Sequence, residues 1–153
     1  VNDTPIPDET IPTFTAPALE VLEVLRGARR NIADGYSRHL CRCSPPKPRP
    51  LHQVPDHMLG FAVVNGVLRE LELGAMCSPF DEGVRFFDLR GAFEAAARWR
   101  VDAGIVAENL LWRLLDPSLR TPLDVLTETM PLPAILAALD RAILRAHAVT
   151  RRK

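Results

Sequence analysis

Apolar positions along this chain recur mostly at steps of three and four, the period of one helix face. The clearest stripe is Leu132, Ile135, Leu136, Leu139, Ile143 and Ala146. It predicts a helix from Pro131 to His147, with the proline in the first turn. Arg141, Arg145 and His147 fall toward the end that suits cations. The rest of the chain is expected to pack around this helix. A second stripe, Leu19, Leu22, Leu25, Ala28 and Ile32, predicts a helix over 16–34, capped by Thr15 and stopped by Gly35.

Four further segments complete the pattern. Asp56 caps a predicted helix ending at Gly74, whose face is Met58, Leu59, Ala62, Val63, Gly66, Val67 and Leu71. Gly66 in mid-helix implies a close helix crossing. Asp88 caps a third helix taking in Phe93, Ala96, Ala97 and Trp99, and Phe86 and Phe87 fold onto the core. Asp102 caps a fourth, with Ile105, Val106, Leu110, Trp112, Leu114 and Leu115; any break between these two belongs at Gly104, and Pro117 ends the rod. Thr121, Pro122 and Asp124 start a short helix to Glu128.

Two stretches carry no helical period. Residues 1–15 hold Pro5, Pro7 and Pro12 among acids and threonines and read as an extended arm. Residues 36–55 include Pro45, Pro46, Pro48, Pro50 and Pro55, which exclude regular helix and central strand; the run from Pro45 to Pro50 is expected to be stiff and polyproline II-like. The expected fold is therefore all-α: one compact bundle of five or six helices over 16–150, with an extended arm and an irregular proline-rich loop at 36–55.

Composition agrees with a globular domain. Hydrophobic residues make up 47% of the 153, charged residues 25% and aromatics only 6%, so Leu, Val, Ile and Ala must build the core. Acids and bases balance at 19 each, which removes any global field for polyanions. Locally the balance breaks. Residues 1–23 carry five acids and no base, whereas residues 24–55 carry Arg26, Arg29, Arg30, Arg38, Arg42, Lys47 and Arg49 against Asp34 alone. The asymmetry suits internal pairing or a partner site. Arginine outnumbers lysine 17 to 2, which with abundant Ala and Leu suggests a high-GC genome such as that of an actinobacterium or its phage.

Candidate chemistry is sparse. Cys41, Cys43, His52 and His57, with His39 and Cys77 nearby in sequence, are the metal-capable residues, and zinc would need four such ligands. Cys-x-Cys is a weaker signal than Cys-x-x-Cys, and the reading adopted is free thiols, no metal and no cofactor. Cys41 beside His39 lacks an orienting third group, and the pairs Glu70/Glu72 and Asp81/Glu82 read as surface charge. There is no Walker A loop, Gly-x-Gly-x-x-Gly, His-Glu-x-x-His or Gly-x-Ser-x-Gly, which lowers the enzyme reading. A helix–turn–helix can be traced over 122–147, but its second helix offers few base-reading side chains beyond Asp140, Arg141 and Arg145. No apolar run is long enough to span a bilayer and no signal-peptide pattern is present, so a cytoplasmic protein is expected.

Three stretches resemble a family of small actinobacterial and phage-borne helical proteins, a domain of unknown function. They are Leu25-Arg26-Gly27-Ala28 through Ile32 to Gly35-Tyr36, Phe61 through Asn65-Gly66 to Leu68, and Thr121 through Leu139-Asp140-Arg141-Ala142-Ile143. Ala62 stands where that family tends to have Cys, Asn65 adds a residue, and its Asn-Asp signature before the last helix is absent, with Asp116-Pro117 nearby. The resemblance implies an all-helical fold and no activity. The functional expectation is a non-enzymatic interaction protein, encoded by a phage or other mobile element, that docks a protein partner or its own copy through the arm and the proline-rich loop. A virion location goes with a phage origin. The alternative is a nucleic-acid-binding accessory protein using residues 26–49.

Overall fold

A computed structural model of the chain describes residues 14–38, 40–43 and 49–151. The described residues form five α-helices: α1 (Ala18–Asp34), α2 (Leu89–Ala97), α3 (Val101–Leu115), α4 (Leu123–Glu128) and α5 (Leu132–Arg151). Between α1 and α2 lie four strands: β1 (Arg42–Cys43), β2 (Leu59–Val64), β3 (Val67–Glu72) and β4 (Val84–Phe86). β2 and β3 form one antiparallel ladder, and β1 and β4 another. The fold is α+β, which corrects the all-α expectation.

The error lies in residues 56–74. A short 3₁₀ turn, Asp56–Met58, leads into a hairpin in place of a helix. Asn65 and Gly66 take φ of 52° and 77°, so both central turn residues are left-handed. Such a two-residue turn matches the right-handed twist of paired strands, and Asn-Gly is the sequence that adopts it most readily. Gly60 and Ala62 face inward at period two, and Ala62 joins Leu73 and Phe86 in a small second core. The positions that read as a helix face are thus split between two strands, with Val67 and Leu68 exposed. The same hairpin overturns the helical reading of the second family-like stretch.

The hub is α1, not α5. α1 packs against α2, α3 and α5 and also touches β2 and β4. Val21, Leu22, Val24, Leu25, Ala28 and Ile32 are buried along it. Ala92, Phe93, Ala107, Leu111, Ile135, Leu139 and Ala142 complete the main core. α5 does carry its predicted stripe, but supplies one wall of the main core. Past α1 the chain turns extended at Gly35 and threads between the sheet pieces. Tyr36 N–H donates to Phe61 O at 2.8 Å, and Ser37 N–H to Phe87 O at 2.9 Å. A Cβ at Gly35 would lie 2.3 Å from Arg85 O, so only glycine allows that approach.

Asp88 caps α2 as expected, its Oδ1 accepting from Gly91 N–H at 3.0 Å. α2 and α3 are separate helices, but the break falls at 98–100 rather than at Gly104. Arg98 takes φ 50°, an uncommon value for a side-chain-bearing residue, and Arg100 N–H bonds back to Ala97 O. Gly104 instead lies where the two helices nearly touch: a Cβ there would be 2.8 Å from Ala97 Cβ. After α3, the Asp116 carboxylate ties the loop by accepting from Ser118 Oγ and from the N–H groups of Ser118, Arg120 and Thr121. Those bonds hold its carboxyl below the ordinary Asp value, Ser118 contributing most.

Candidate functional site

The basic segment does not form one surface. Arg29 pairs with Asp140 of α5 through two guanidinium nitrogens. Arg38 donates to Glu128 O at 2.9 Å and lies over the Phe61 ring, 5.8 Å from its centroid. Arg49 Nε donates to both carboxylate oxygens of Glu72 at 3.0 and 3.1 Å, and its Nη2 lies 3.0 Å from Oε2. Arg42 is only 8% exposed and donates to Met58 Sδ, Gly74 O and His57 O, with its Nε unpaired among the described residues. Arg26 and Arg30 stay exposed and share an open groove of about 810 Å³ with Arg98 and Arg100. Glu23, Asp81 and Glu82 line the same groove and offset that charge; Arg100 donates to Glu23 at 3.2 Å. Lys47, the arm 1–13 and residues 44–48 of the proline run lie outside the described residues.

The metal-capable residues separate in a similar way. His52 and His57 sit exposed on 3₁₀ turns, while Cys41, Cys43 and Cys77 lie on the β1 side of the molecule. No group of three such side chains, counting Asp and Glu, is arranged to hold a metal ion among the described residues; His39 lies outside them. Cys41 is buried, and its thiol donates to Asp88 Oδ1 at 3.3 Å. Burial pushes it up to about 12, so it is protonated at neutral pH.

Between α2, α3 and α4 lies a cavity of about 370 Å³, lined in part by Arg38, Arg90, Glu108, Asn109, Trp112 and Thr127. Its polar groups are largely engaged. Trp112 Nε1 donates to Thr121 O, and Thr127 Oγ1 to Leu123 O. Glu108 is the odd group: desolvation raises its carboxyl above the ordinary Glu value, and Arg90 at 4.0 Å only partly offsets this.

A second surface gathers apolar side chains. The turn between α2 and α3 throws Trp99 into solvent, where it is 94% exposed. Trp99 and Val101 flank one depression with Pro17 and Ala103. Val101 also borders an adjoining groove of about 350 Å³ with Phe80, Ala97, Gly104 and Ile105. Phe80, Val101 and Ile105 are 59%, 62% and 53% exposed. Arg90, Glu94, Arg98 and Glu108 form the charged part of that groove. Sequence reading missed the surface because it ran the third helix on through Trp99 together with Phe93, Ala96 and Ala97. The available signal was the pair of charges, Arg98 and Arg100, that flanks Trp99 just before the Val101 helix.

No helix among the described residues is long and apolar enough to cross a membrane. The chain matches no family model, no curated protein and no solved structure.

Proposed function

We propose that the chain is a non-enzymatic protein-interaction module and that its docking surface is the α2–α3 face around Trp99, Phe80, Val101 and Ile105. The observation that carries this is the near-complete exposure of Trp99 beside three other exposed large apolar side chains. Tryptophan in solvent forgoes a large burial free energy, and it is the residue most enriched among interface hot spots. The occupant that fits best is a second copy of the chain. Knob and groove adjoin on one face, as a two-fold interface requires. The groove's charged residues are self-complementary, with Arg90 and Arg98 against Glu94 and Glu108. Such a rim selects register more than affinity.

The dispersal of the basic segment supports this reading over nucleic-acid binding, because phosphate contact calls for several unpaired cations along one surface. Origin in a phage or other mobile element of a high-GC genome is part of the proposal and rests on the arginine-rich composition and the family resemblance alone. Sedimentation velocity from about 1 to 500 µM tests the reading, a range that covers weak and moderate self-association. The native chain is expected to shift from monomer to dimer. Trp99→Ala and Ile105→Glu are expected to remain monomeric with unchanged thermal midpoints. A native chain that stays monomeric throughout overturns self-association through this face.

A further inference from the structure

We propose that Cys43 and Cys77 are a redox-active pair that closes to a disulfide by exchange with a low-molecular-weight disulfide. Residues 41–43 run antiparallel beside 75–77. Cys77 N–H donates to Cys41 O at 3.0 Å and Cys43 N–H to Ala75 O at 2.9 Å, on either side of the Arg42–Met76 bridge. Side chains alternate along such a ladder, so Arg42 and Met76 leave on one side and all three cysteines on the other. Cys77 lies directly opposite Cys41 and diagonal to Cys43. Gly74 N–H also donates to Cys43 O, at 2.6 Å, so two residues oppose one and the ladder is kinked at that point. Diagonal neighbours on a regular ladder stand roughly 7–8 Å apart, beyond the usual Cα separation of a disulfide, so closing the bond needs a local shift of the strands at the kink. Cys43 is near enough to Cys77 to contribute to its raised thiol.

Environment divides the three thiols. Cys41 is buried and engaged with Asp88, whereas Cys43 and Cys77 are both partly exposed. A Cβ at Gly83 would lie 3.5 Å from the Cys43 sulfur, so the missing side chain leaves that sulfur approachable. Desolvation, then its contact with Cys43, pushes the Cys77 thiol up to about 12, which makes Cys77 the poorer first nucleophile. Cys43, whose sulfur is left approachable at Gly83, is the entry thiol. Its thiolate attacks one sulfur of the small disulfide, forming a mixed disulfide and releasing one thiolate. Cys77 then loses its proton and attacks the Cys43 sulfur, expelling the second thiolate. The protein loses two electrons and two protons, and one small disulfide becomes two thiols. The loop so closed contains the whole β2–β3 hairpin, which the bond ties to the body of the fold.

The test is incubation of the reduced full chain with oxidised glutathione at about pH 8, where thiol exchange is fast enough to follow. Free thiols are expected to fall from three to one. The intact mass should drop by about 2 Da, and peptide mapping should find Cys43 joined to Cys77. The thermal midpoint is expected to rise by about 5 °C, because the closed loop has fewer unfolded conformations. Cys77→Ser should trap the intermediate as a stable adduct about 305 Da heavier, because glutathione stays on Cys43. Cys41→Ser, which keeps a donor for Asp88, should still form the bond. Three titratable thiols after incubation, a bond mapped to Cys41–Cys77, or no adduct on a folded Cys77→Ser chain would each overturn the proposal.

Discussion

Replacing Gly66 with alanine separates hairpin from helix by the sign of its effect. Gly66 takes φ 77°, and a Cβ placed there meets nothing within 4 Å. Steric conflict with neighbours therefore contributes nothing, and the cost is purely that of a left-handed L-residue, roughly 1–2 kcal/mol. Alanine also narrows the unfolded ensemble, which returns about 0.4–1 kcal/mol. The net expectation is a loss of about 1 kcal/mol. With a urea m-value of about 2 kcal/mol/M, the midpoint falls by roughly 0.5 M. Were residues 56–74 a helix, the same substitution would replace glycine at an interior position and add about 1 kcal/mol. Urea unfolding followed by far-ultraviolet circular dichroism reads the global effect. Hydrogen exchange at the β2–β3 ladder amides reads any opening confined to the hairpin. Higher stability in Gly66→Ala, or ladder protection unchanged together with an unchanged midpoint, would refute the left-handed turn.

Other substitutions probe the packing and the charges. Gly104→Ala is expected to cost about 1–3 kcal/mol despite its better helix propensity, because its Cβ would press on Ala97 Cβ at 2.8 Å; a gain in the urea midpoint would show that α2 and α3 are not in close contact. Asp88→Ala removes the acceptor of Gly91 N–H and of the Cys41 thiol; a loss of about 1–2 kcal/mol is expected, the range for a helix cap, and a change under about 0.3 kcal/mol would rule out the cap. Glu108 has its carboxyl raised in the folded chain by desolvation. The folded state thus holds that proton more tightly than the unfolded state, so stability falls as pH climbs through and above the ordinary Glu range. Glu108→Gln should remove this fall and melt higher than the native chain at neutral pH, and equal melting curves at both ends of the range would contradict the assignment.

The helices at both ends of the chain were legible in sequence because their apolar faces are long and flanked by recognisable stops. α1 needs only Leu22, Leu25, Ala28 and Ile32 on one stripe, and α5 needs Leu132, Ile135 and Leu139. Period alone misled at 58–71, where two short strands across a turn happen to space their apolar residues like a helix. Asn65-Gly66 was the discriminating signal there, and it is a local one. Two glycines exchanged the roles expected of them: Gly66 makes a turn and Gly104 a close helix contact. Both roles are consistent with glycine, and neighbours distant in sequence decide between them.

Local pattern by itself determined the position of five helices to within a few residues, the Asp88 cap and the stop before Pro117, since each depends on interactions within one or two turns. Only tertiary structure decided that α1 is central, that the six described basic positions do not act as one surface, and that Trp99 faces solvent. Burial and pairing are properties of what lies across a contact. Asp140 takes Arg29, Glu72 takes Arg49, and the backbone around Met58 and Gly74 encloses Arg42. Those partners are far away along the chain, so nothing in the neighbouring sequence announces them.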